Sequence, residues 1–460
     1  MLRRVLIANR GEIAVRIIRT CRELGVETVA ICSTEDRDAL HTQLATKTVC
    51  VGPAKAADSY LNQQAILTAA LGTGCDAVHP GYGFLSENAE FADACAREGL
   101  QFVGPSGAVI RHMGNKAAAR ALMLDSGVPV VPGSGGPVPD AETAAAIAAK
   151  IGYPVLIKAS AGGGGRGMRR VNDAESLPAL FDAARSEAVA CFGDGELYVE
   201  KLILNPRHIE FQILADRQGN VIHLGERDCS IQRKNQKLVE ETPSKALNPD
   251  LRARMGAAAV AAAKAAGYES AGTVEFVLDA KGNFYFIEMN TRIQVEHPIT
   301  ELVTGVDLIR EQLRIAAGLP LSLTQEQVQV TGHAIECRIN AEDPANGFRP
   351  TPGQVGFLHL PGGPGVRVDT ALYPGCQVSP CYDSLCAKVA VHAPTRLEAV
   401  RRMRRALEEM VIEGITTTAD LGYLICYHPA FITGRYDTGF LEQQLDNLLR
   451  WERPDEGKSS

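Results

Sequence analysis

Glu275 and Glu288 carry the first chemical signal in this 460-residue chain. They lie in Ala271–Glu296, AGTVEFVLDAKGNFYFIEMNTRIQVE, one in each of two apolar runs, Thr273–Leu278 and Phe284–Met289. If Lys281-Gly282 is a two-residue hairpin loop, the strands pair so that Glu275 lies opposite Glu288. At a separation of about 5 Å and an effective dielectric of about 20, the repulsion is about 3 kcal/mol. A favourable cross-strand pair returns only about 0.2–1 kcal/mol. The neighbours are Val, Phe, Leu, Tyr and Ile, so water screens the pair poorly. A shared proton would relieve the repulsion, and so would a divalent cation. Asn290 adds a third oxygen on the same face, and an all-oxygen site of few ligands suits magnesium that also holds phosphates.

The same segment continues the pattern. Glu288, Asn290, Arg292, Gln294 and Glu296 alternate with a period of two, which places all five on one face of an extended segment. Arg292 can grip a planar oxyanion through two parallel hydrogen bonds. Glu296 can then serve as general base if it reaches the bound substrate. A second signal is Tyr153–Met168, YPVLIKASAGGGGRGM, where a buried-type strand ends at Lys158 and a glycine loop follows. Glycines let backbone N–H groups wrap an anion, and a lysine beside them adds a point charge for phosphate. The stretch lacks GK[ST], so it is not a Walker loop; a lid over a nucleotide fits it better.

These residues need elements to position them. Up to about residue 100, short strands at Arg4–Ala8, Thr28–Cys32, Thr48–Val51 and Ala77–His79 alternate with helical patterns near Glu12–Leu24 and Leu61–Leu71. That rhythm predicts a mostly parallel sheet wrapped by helices. Its first turn, Ala8-Asn9-Arg10-Gly11-Glu12, lacks GxGxxG and opens on an acid, which argues against a dinucleotide-binding dehydrogenase. Pro129–Pro139 breaks the rhythm, and a small α/β unit with the glycine loop runs to about Leu204. From about Ile209 the strands come as neighbours, predicting an antiparallel sheet, with helices at Asp250–Ala266 and Leu308–Ala317. Another break at 318–329 leads into Thr331–Arg338, further strands to about His392, and a helix over Leu397–Val411.

Composition narrows the class. A net charge of −7 argues against a nucleic-acid partner. No stretch reaches the roughly 18 apolar residues of a membrane span. The start, MLRRVLIANRGE, passes straight into strand-like sequence without a signal-peptide layout. Twelve cysteines without CxxC read as reduced thiols, so the expected location is cytoplasmic. Cys229 reads as a buried spectator, because no histidine partners it. Arg16, four residues after Glu12, reads as half of a surface helix pair. The basic run 401–405 reads as a solvated helix face.

Lys116, Lys158, the GGGGRGM loop, Glu275, Glu288 and Asn290 together resemble the ATP-grasp fold, in which a nucleotide lies between two small sheets. IANRGEIA at 7–14, HPGYGFLSEN at 79–88, NPRHIEFQ at 205–212, ERDCSIQRKNQK at 226–237, EMNTRIQVEHP at 288–298 and GHAIECRINAEDP at 332–344 narrow the resemblance to the biotin carboxylase family, to about residue 445. It implies an α/β (α+β) architecture: a Rossmann-like N-terminal domain at 1–114, an ATP-grasp domain at 115–330 with a mobile glycine-loop lid at about 131–203, a C-terminal biotin carboxylase domain at 331–446 and a polar tail at 447–460.

The resemblance also implies site roles. Lys116, Lys158, Gly163, Gly164, Gly165 and Gly167 would hold the phosphates of ATP, and Glu200, Lys201 and Ile203 the adenine. His208 and Gln232 would touch ribose and phosphate, Asn235 would belong to the ATP site, and Glu275, Glu288 and Asn290 would hold Mg2+ or Mn2+. Lys237, Arg292, Gln294, Val295 and Glu296 would form a bicarbonate pocket. Arg338 and Tyr82 would meet biotin. Lys237, Arg292, Glu296 and Arg338 would be the catalytic set. Asn235 stands where many members carry histidine, and CYDSLCAK also departs slightly from the usual pattern while keeping Lys388.

The implied reaction is ATP-dependent carboxylation of N1 of biotin through carboxyphosphate, the first half-reaction of acetyl-CoA carboxylase in fatty-acid synthesis. A split pyruvate or acyl-CoA carboxylase would share the module. Another ATP-grasp ligase would lack the Arg338 segment and HPGYGFLSEN, and a silent assembly subunit would not keep all the charged residues. No methionine is followed by lysine, so biotin is expected on a separate carboxyl carrier protein, with carboxyltransferase subunits as further partners. A homodimer is implied as well.

Overall fold

Apolar strands followed by capped helices build the first layer. The computed structural model describes residues 2–159 and 168–451. Five parallel strands lie in the order 47–52, 27–33, 4–7, 77–79, 101–102, the parallel sheet that the alternating rhythm predicts. Helix Gly11–Glu23 buries Ile13, Val15, Ile17 and Ile18 at a helical spacing. Helix Gln63–Gly72 starts where Asn62 accepts the backbone N–H of Ala65.

By Cα proximity the chain divides into two compact units, 1–114 with 207–275 and 288–460, and 115–206 with 276–287. In the first, an antiparallel sheet runs 207–215, 221–233, 236–242, 333–340, 385–393, 366–370, and strand 270–278 lies beside 207–215. The strand at 333–340 thus pairs directly with 236–242, and the C-terminal segment extends the sheet already begun at 207. One face of these strands packs Val239, Ile335, Cys337, Val389 and Val391 against helices Arg396–Glu409 and Ala419–Tyr427. Arg402, Arg404 and Arg405 of the basic run are half-buried, bonded to His392, Cys426 and Glu409, so that helix face is less solvated than its sequence predicts.

The second unit is smaller. Strands 168–171, 155–159 and 197–201 form an antiparallel sheet. Helices Ala141–Ile151 and Leu177–Phe192 cover it through Ala144, Ala148, Phe181 and Ala184. Gly163, Gly164, Gly165 and Gly167 lie outside the described residues.

Two local readings change. The hairpin connection is three residues, 280–282, closed where Asp279 N–H meets Asn283 O at 2.9 Å, with Gly282 at φ +81°. Asp279 Oδ1 accepts the N–H groups of Lys281 and Asn283, an Asx turn that lengthens the loop. The two-residue premise that set Glu275 against Glu288 therefore fails. The second change is that the strand ends at Asn290, so Arg292, Gln294 and Glu296 do not share a pleated face.

The largest buried charge of the first unit is fully paired. Arg227, wholly buried, donates to Glu210 at 2.6 Å, Gln212 at 2.7 Å, Thr300 at 2.9 Å and Thr273 at 3.1 Å. Arg227→Ala should cost about 3–5 kcal/mol, because it strands a buried carboxylate. Arg3→Ala, which removes an ion pair whose arginine is 87% exposed, should cost under about 1 kcal/mol. Denaturant midpoints of the two variants check this, and equal losses would contradict it.

Candidate active site

The antiparallel sheet points a set of charged side chains inward, and Lys237 stands at their centre. Its ammonium donates to Glu210 at 2.5 Å, Glu296 at 2.7 Å and Glu275 at 3.0 Å. All three carboxylates are buried. Burial alone would lower Lys237, but the three carboxylates outweigh it and hold the ammonium well above its usual range. Burial likewise favours neutral Glu275 and Glu296. Lys237 with His208 keeps Glu275 well below the usual carboxylate range, and Lys237, Arg338 and Arg227 do the same for Glu296.

Glu275 is saturated with donors. Its Oε1 accepts from Lys237, from Asn290 Nδ2 at 2.8 Å and from Gln294 Nε2 at 3.0 Å; its Oε2 meets His208 Nε2 at 2.8 Å. The amide of Asn290 therefore turns nitrogen toward Glu275 and oxygen toward Arg292 Nη2, 3.0 Å away. Arg292 also donates to Gln294 at 2.6 Å and to Glu87 at 2.9 Å. So Arg292, Gln294 and Glu296 converge on one site although the strand has ended, because buried Ile293 anchors the irregular segment and Glu296 occupies the N-cap of helix His297–Thr304.

Arg338 closes the far side, donating to Glu240 at 2.6 Å and Glu296 at 2.9 Å. Lys388, fully buried, donates to Val295 O at 2.9 Å and lies 3.1 Å from Glu12, which also accepts the Tyr82 hydroxyl. Tyr82 is thereby tied to the Val295 backbone. Arg16 is not a surface pair with Glu12: it bonds Glu301 at 2.9 Å and Asp307 at 2.8 Å. Cys229 Sγ lies 3.8 Å from Glu296, and burial pushes the thiol well up, which suits a spectator.

Gln232 and Lys237 are cross-strand partners flanking the tight turn Lys234-Asn235. Asn235 sits there at φ +66°, exposed, a left-handed position that asparagine tolerates better than most residues. In the second unit Lys158, at its strand end, pairs with Glu200, and Lys201 Nζ donates to Gly152 O and Tyr153 O at 2.8 Å each. Glu200 thus offers a side-chain role beyond a backbone hinge. Lys116 opens helix Lys116–Asp125, which Asn115 caps.

Among the described residues, two groups could gather round a cation: His208, Glu210 and Glu275, and Glu210, Cys229 and Glu296. The Lys237 ammonium already serves the carboxylates of both, so these are better read as a lysine cage. Glu275, ionised and acceptor-only, and Glu288, half-buried on the neighbouring strand, carry the carboxylate oxygens that magnesium takes, and Glu275 would exchange some of its present donors for the ion. Asn290 here serves Arg292 with its oxygen. Sequence reasoning missed Glu210, Arg227, Glu240, Glu87 and Glu12. For Glu210, Arg227 and Glu240 the available signal was a charged side chain inside an otherwise apolar strand; Glu12 lies on a helix and Glu87 in a turn, where no such contrast marks them.

Residues 1–110 match the family described as biotin carboxylase, N-terminal domain, and residues 336–443 the biotin carboxylase C-terminal domain. Residues 115–324 match the ATP binding domain of the carbamoyl-phosphate synthase L chain. A biotin carboxylase of Nostoc sp. is 57% identical over 440 residues, covering 96% of this chain and 98% of that protein. Biotin carboxylase 1 of Bacillus subtilis is 55% identical over 443 residues, again 96% and 98%. The chain belongs to the biotin carboxylase family. It is an ATP-grasp ligase by that membership. The biotin carboxylase domain dimer of Hydrogenobacter thermophilus 2-oxoglutarate carboxylase, crystallised with MgADP, ADP and bicarbonate, superposes with a TM-score of 0.90 at 52% identity, covering 97% of this chain and 99% of that one. Among the described residues no helix is long and apolar enough to cross a membrane.

The lysine cage predicts opposite pH responses. In the natural protein Glu275 and Glu296 have depressed proton affinities, so their stabilisation is complete above about pH 4.5 and is lost as pH falls below it. In Lys237→Met the three carboxylates lose their cation and their proton affinities rise, so the variant should lose stability as pH increases from about 5 to about 8. At the upper end the deficit should be on the order of 3–5 kcal/mol. Denaturant midpoints at the two pH values test this; a deficit independent of pH would contradict the cage.

Proposed function

We propose that the chain carboxylates N1 of biotin on a separate carrier protein, using ATP and bicarbonate, as the first half-reaction of acetyl-CoA carboxylase. The observation that carries the reading is the convergence of Lys237, Arg292, Gln294 and Arg338, all N–H donors, around the ionised carboxylates of Glu275 and Glu296. Such a pocket would bind a small planar oxyanion and hold an acceptor for its proton.

In this reading bicarbonate lies against Lys237, Arg292, Gln294 and the Val295 backbone. As its charge draws Lys237 and Arg338, Glu296 is relieved of its cations and its proton affinity rises toward that of an effective base. Glu296 takes the bicarbonate proton, and a bicarbonate oxygen attacks the γ-phosphorus, releasing ADP. Lys116, Lys158 and the glycine loop hold the phosphates, and Glu200, Lys201 and Ile203 the adenine. His208 and Gln232 would touch ribose and phosphate, with Asn235 in the same ATP site. Magnesium on Glu275 and Glu288, joined by Asn290 if its amide turns, would supply charge neutralisation at the phosphoryl group. Carboxyphosphate breaks its C–O bond to give CO2 and phosphate, phosphate takes the N1 proton of biotin, Arg338 steadies the resulting enolate with Tyr82 near the ring, and N1 attacks the carbon of CO2 to form the N–C bond of carboxybiotin. The domain divisions at 114/115 and 330/331, a cytoplasmic homodimer and separate carboxyltransferase subunits belong to the same proposal. The dimeric Hydrogenobacter relative supports the assembly. That relative serves 2-oxoglutarate, so a keto-acid acceptor is the second reading for the partner reaction.

Phosphate release from Mg-ATP should require bicarbonate and rise with free biotin; rates indifferent to biotin would contradict carboxylation. Glu296→Ala should lower bicarbonate-dependent cleavage itself by about 10²–10⁴-fold. Arg338→Ala should instead lower carboxybiotin formed per phosphate released. Equal ratios in the two variants would refute this division of labour.

A further inference from the structure

Strands 236–242 and 333–340 set Glu240 directly opposite Glu336, on the face that Ile299 and Val303 of helix His297–Thr304 cover against Ala334 and Ala390. Both carboxyl groups are wholly buried. Glu240 Oε1 holds Arg338 Nε, but Glu240 Oε2 and both oxygens of Glu336 have no hydrogen-bond partner among the described residues. Directly opposed buried carboxylates repel strongly, and an unsatisfied buried carboxylate is costly besides. The cation nearest Glu336 on the adjoining strand, Lys388, is committed to Val295 O and Glu12. A proton bridging the orphaned oxygens satisfies them, as in other close carboxyl pairs.

We propose that Glu240 and Glu336 share one proton as a cross-strand dyad, and that this dyad, through Glu240, positions the guanidinium of Arg338. With the proton in place, Glu336 is neutral and Glu240 offers a single charge, so Arg338 can span Glu240 and Glu296. When the proton leaves, a second negative charge pulls Arg338 away from Glu296. The charged groups facing the dyad are Lys388 from strand 385–393, Arg338 from 333–340, Lys237 from 236–242, and Glu296 at the cap of the covering helix. Burial pushes Glu240 up to about 7 against the pull of Arg338, and burial and Glu240 hold Glu336 well above the carboxylate range against Lys388. Proton loss therefore comes on raising pH through the neutral range.

The positioning half rests on the proposed role of Arg338 toward biotin, so the experiment has two arms. In the first, infrared spectra of the full chain labelled with ¹³C-glutamate should show a protonated carboxyl that disappears between about pH 6 and about pH 9. That band should be missing from Glu336→Gln, whose neutral amide mimics the protonated acid. Absence of such a titrating band in the natural protein overturns the dyad, whether or not the variant folds. In the second arm, Glu240→Gln should form about tenfold less carboxybiotin per phosphate released, while bicarbonate-dependent ATP cleavage without biotin stays within about twofold. Glu336→Gln should keep the ratio but lose its pH dependence. A Glu240→Gln ratio equal to that of the natural protein overturns the positioning role. If Arg338→Ala also leaves the ratio unchanged, the biotin role of Arg338 fails and the infrared result still decides the dyad.

Discussion

One buried ammonium organises the first unit. Lys237 gathers Glu210, Glu275 and Glu296, and each of these is held from its other side by Arg227, His208 or Arg338. Remove the lysine and three carboxylates face one another in a low-dielectric interior; remove Glu210 and buried Arg227 loses its one carboxylate partner among the described residues. Alternate charges therefore hold strands 207–215, 221–233, 236–242, 270–278 and 333–340 to a single arrangement. The antiparallel register matters because it fixes which side chains meet: Gln232 faces Lys237, and Glu240 faces Glu336.

The same balance has a chemical consequence. A site whose cations are already matched by protein carboxylates binds an incoming anion by exchange. Lys237, Arg292 and Arg338 can shift part of their hydrogen bonding to a substrate oxyanion without any of them becoming exposed. In the proposed reaction this exchange turns Glu296 from a salt-bridged carboxylate into a base. In the same reading the carboxylates that surround the expected anion site balance its cations.

Much of the fold was legible because it rests on local patterns. The β-α-β rhythm to His79 yields the parallel sheet, and Asn62, Asn248, Asp307 and Thr395 mark helix starts with side-chain caps. The charged residues of the site were legible as types, since Arg292, Gln294 and Glu296 are polar in a packed segment. What could not be read was pairing across distance. Arg16 suggested Glu12 four residues away, yet its partners are Glu301 and Asp307, nearly 300 positions later. The register of Glu275 and Glu288 was not legible either, because the Asp279 side chain takes up two backbone donors that a two-residue turn would leave to the strands. Glu210 and Glu240 stayed hidden among apolar strand residues, since only the sheet register reveals what they face.

The central claim is that this charge-matched pocket delivers a bicarbonate oxygen to the γ-phosphorus of ATP. Oxygen-18 tracing tests it most directly. With ¹⁸O-bicarbonate, Mg-ATP and biotin, attack by bicarbonate followed by C–O cleavage leaves one bicarbonate oxygen in each phosphate released. The account predicts a single ¹⁸O per phosphate at early turnover. Phosphate without bicarbonate oxygen, its one new oxygen drawn from solvent, would mean that water, not bicarbonate, attacks, and would contradict the assignment of Lys237, Arg292 and Glu296 to that oxyanion.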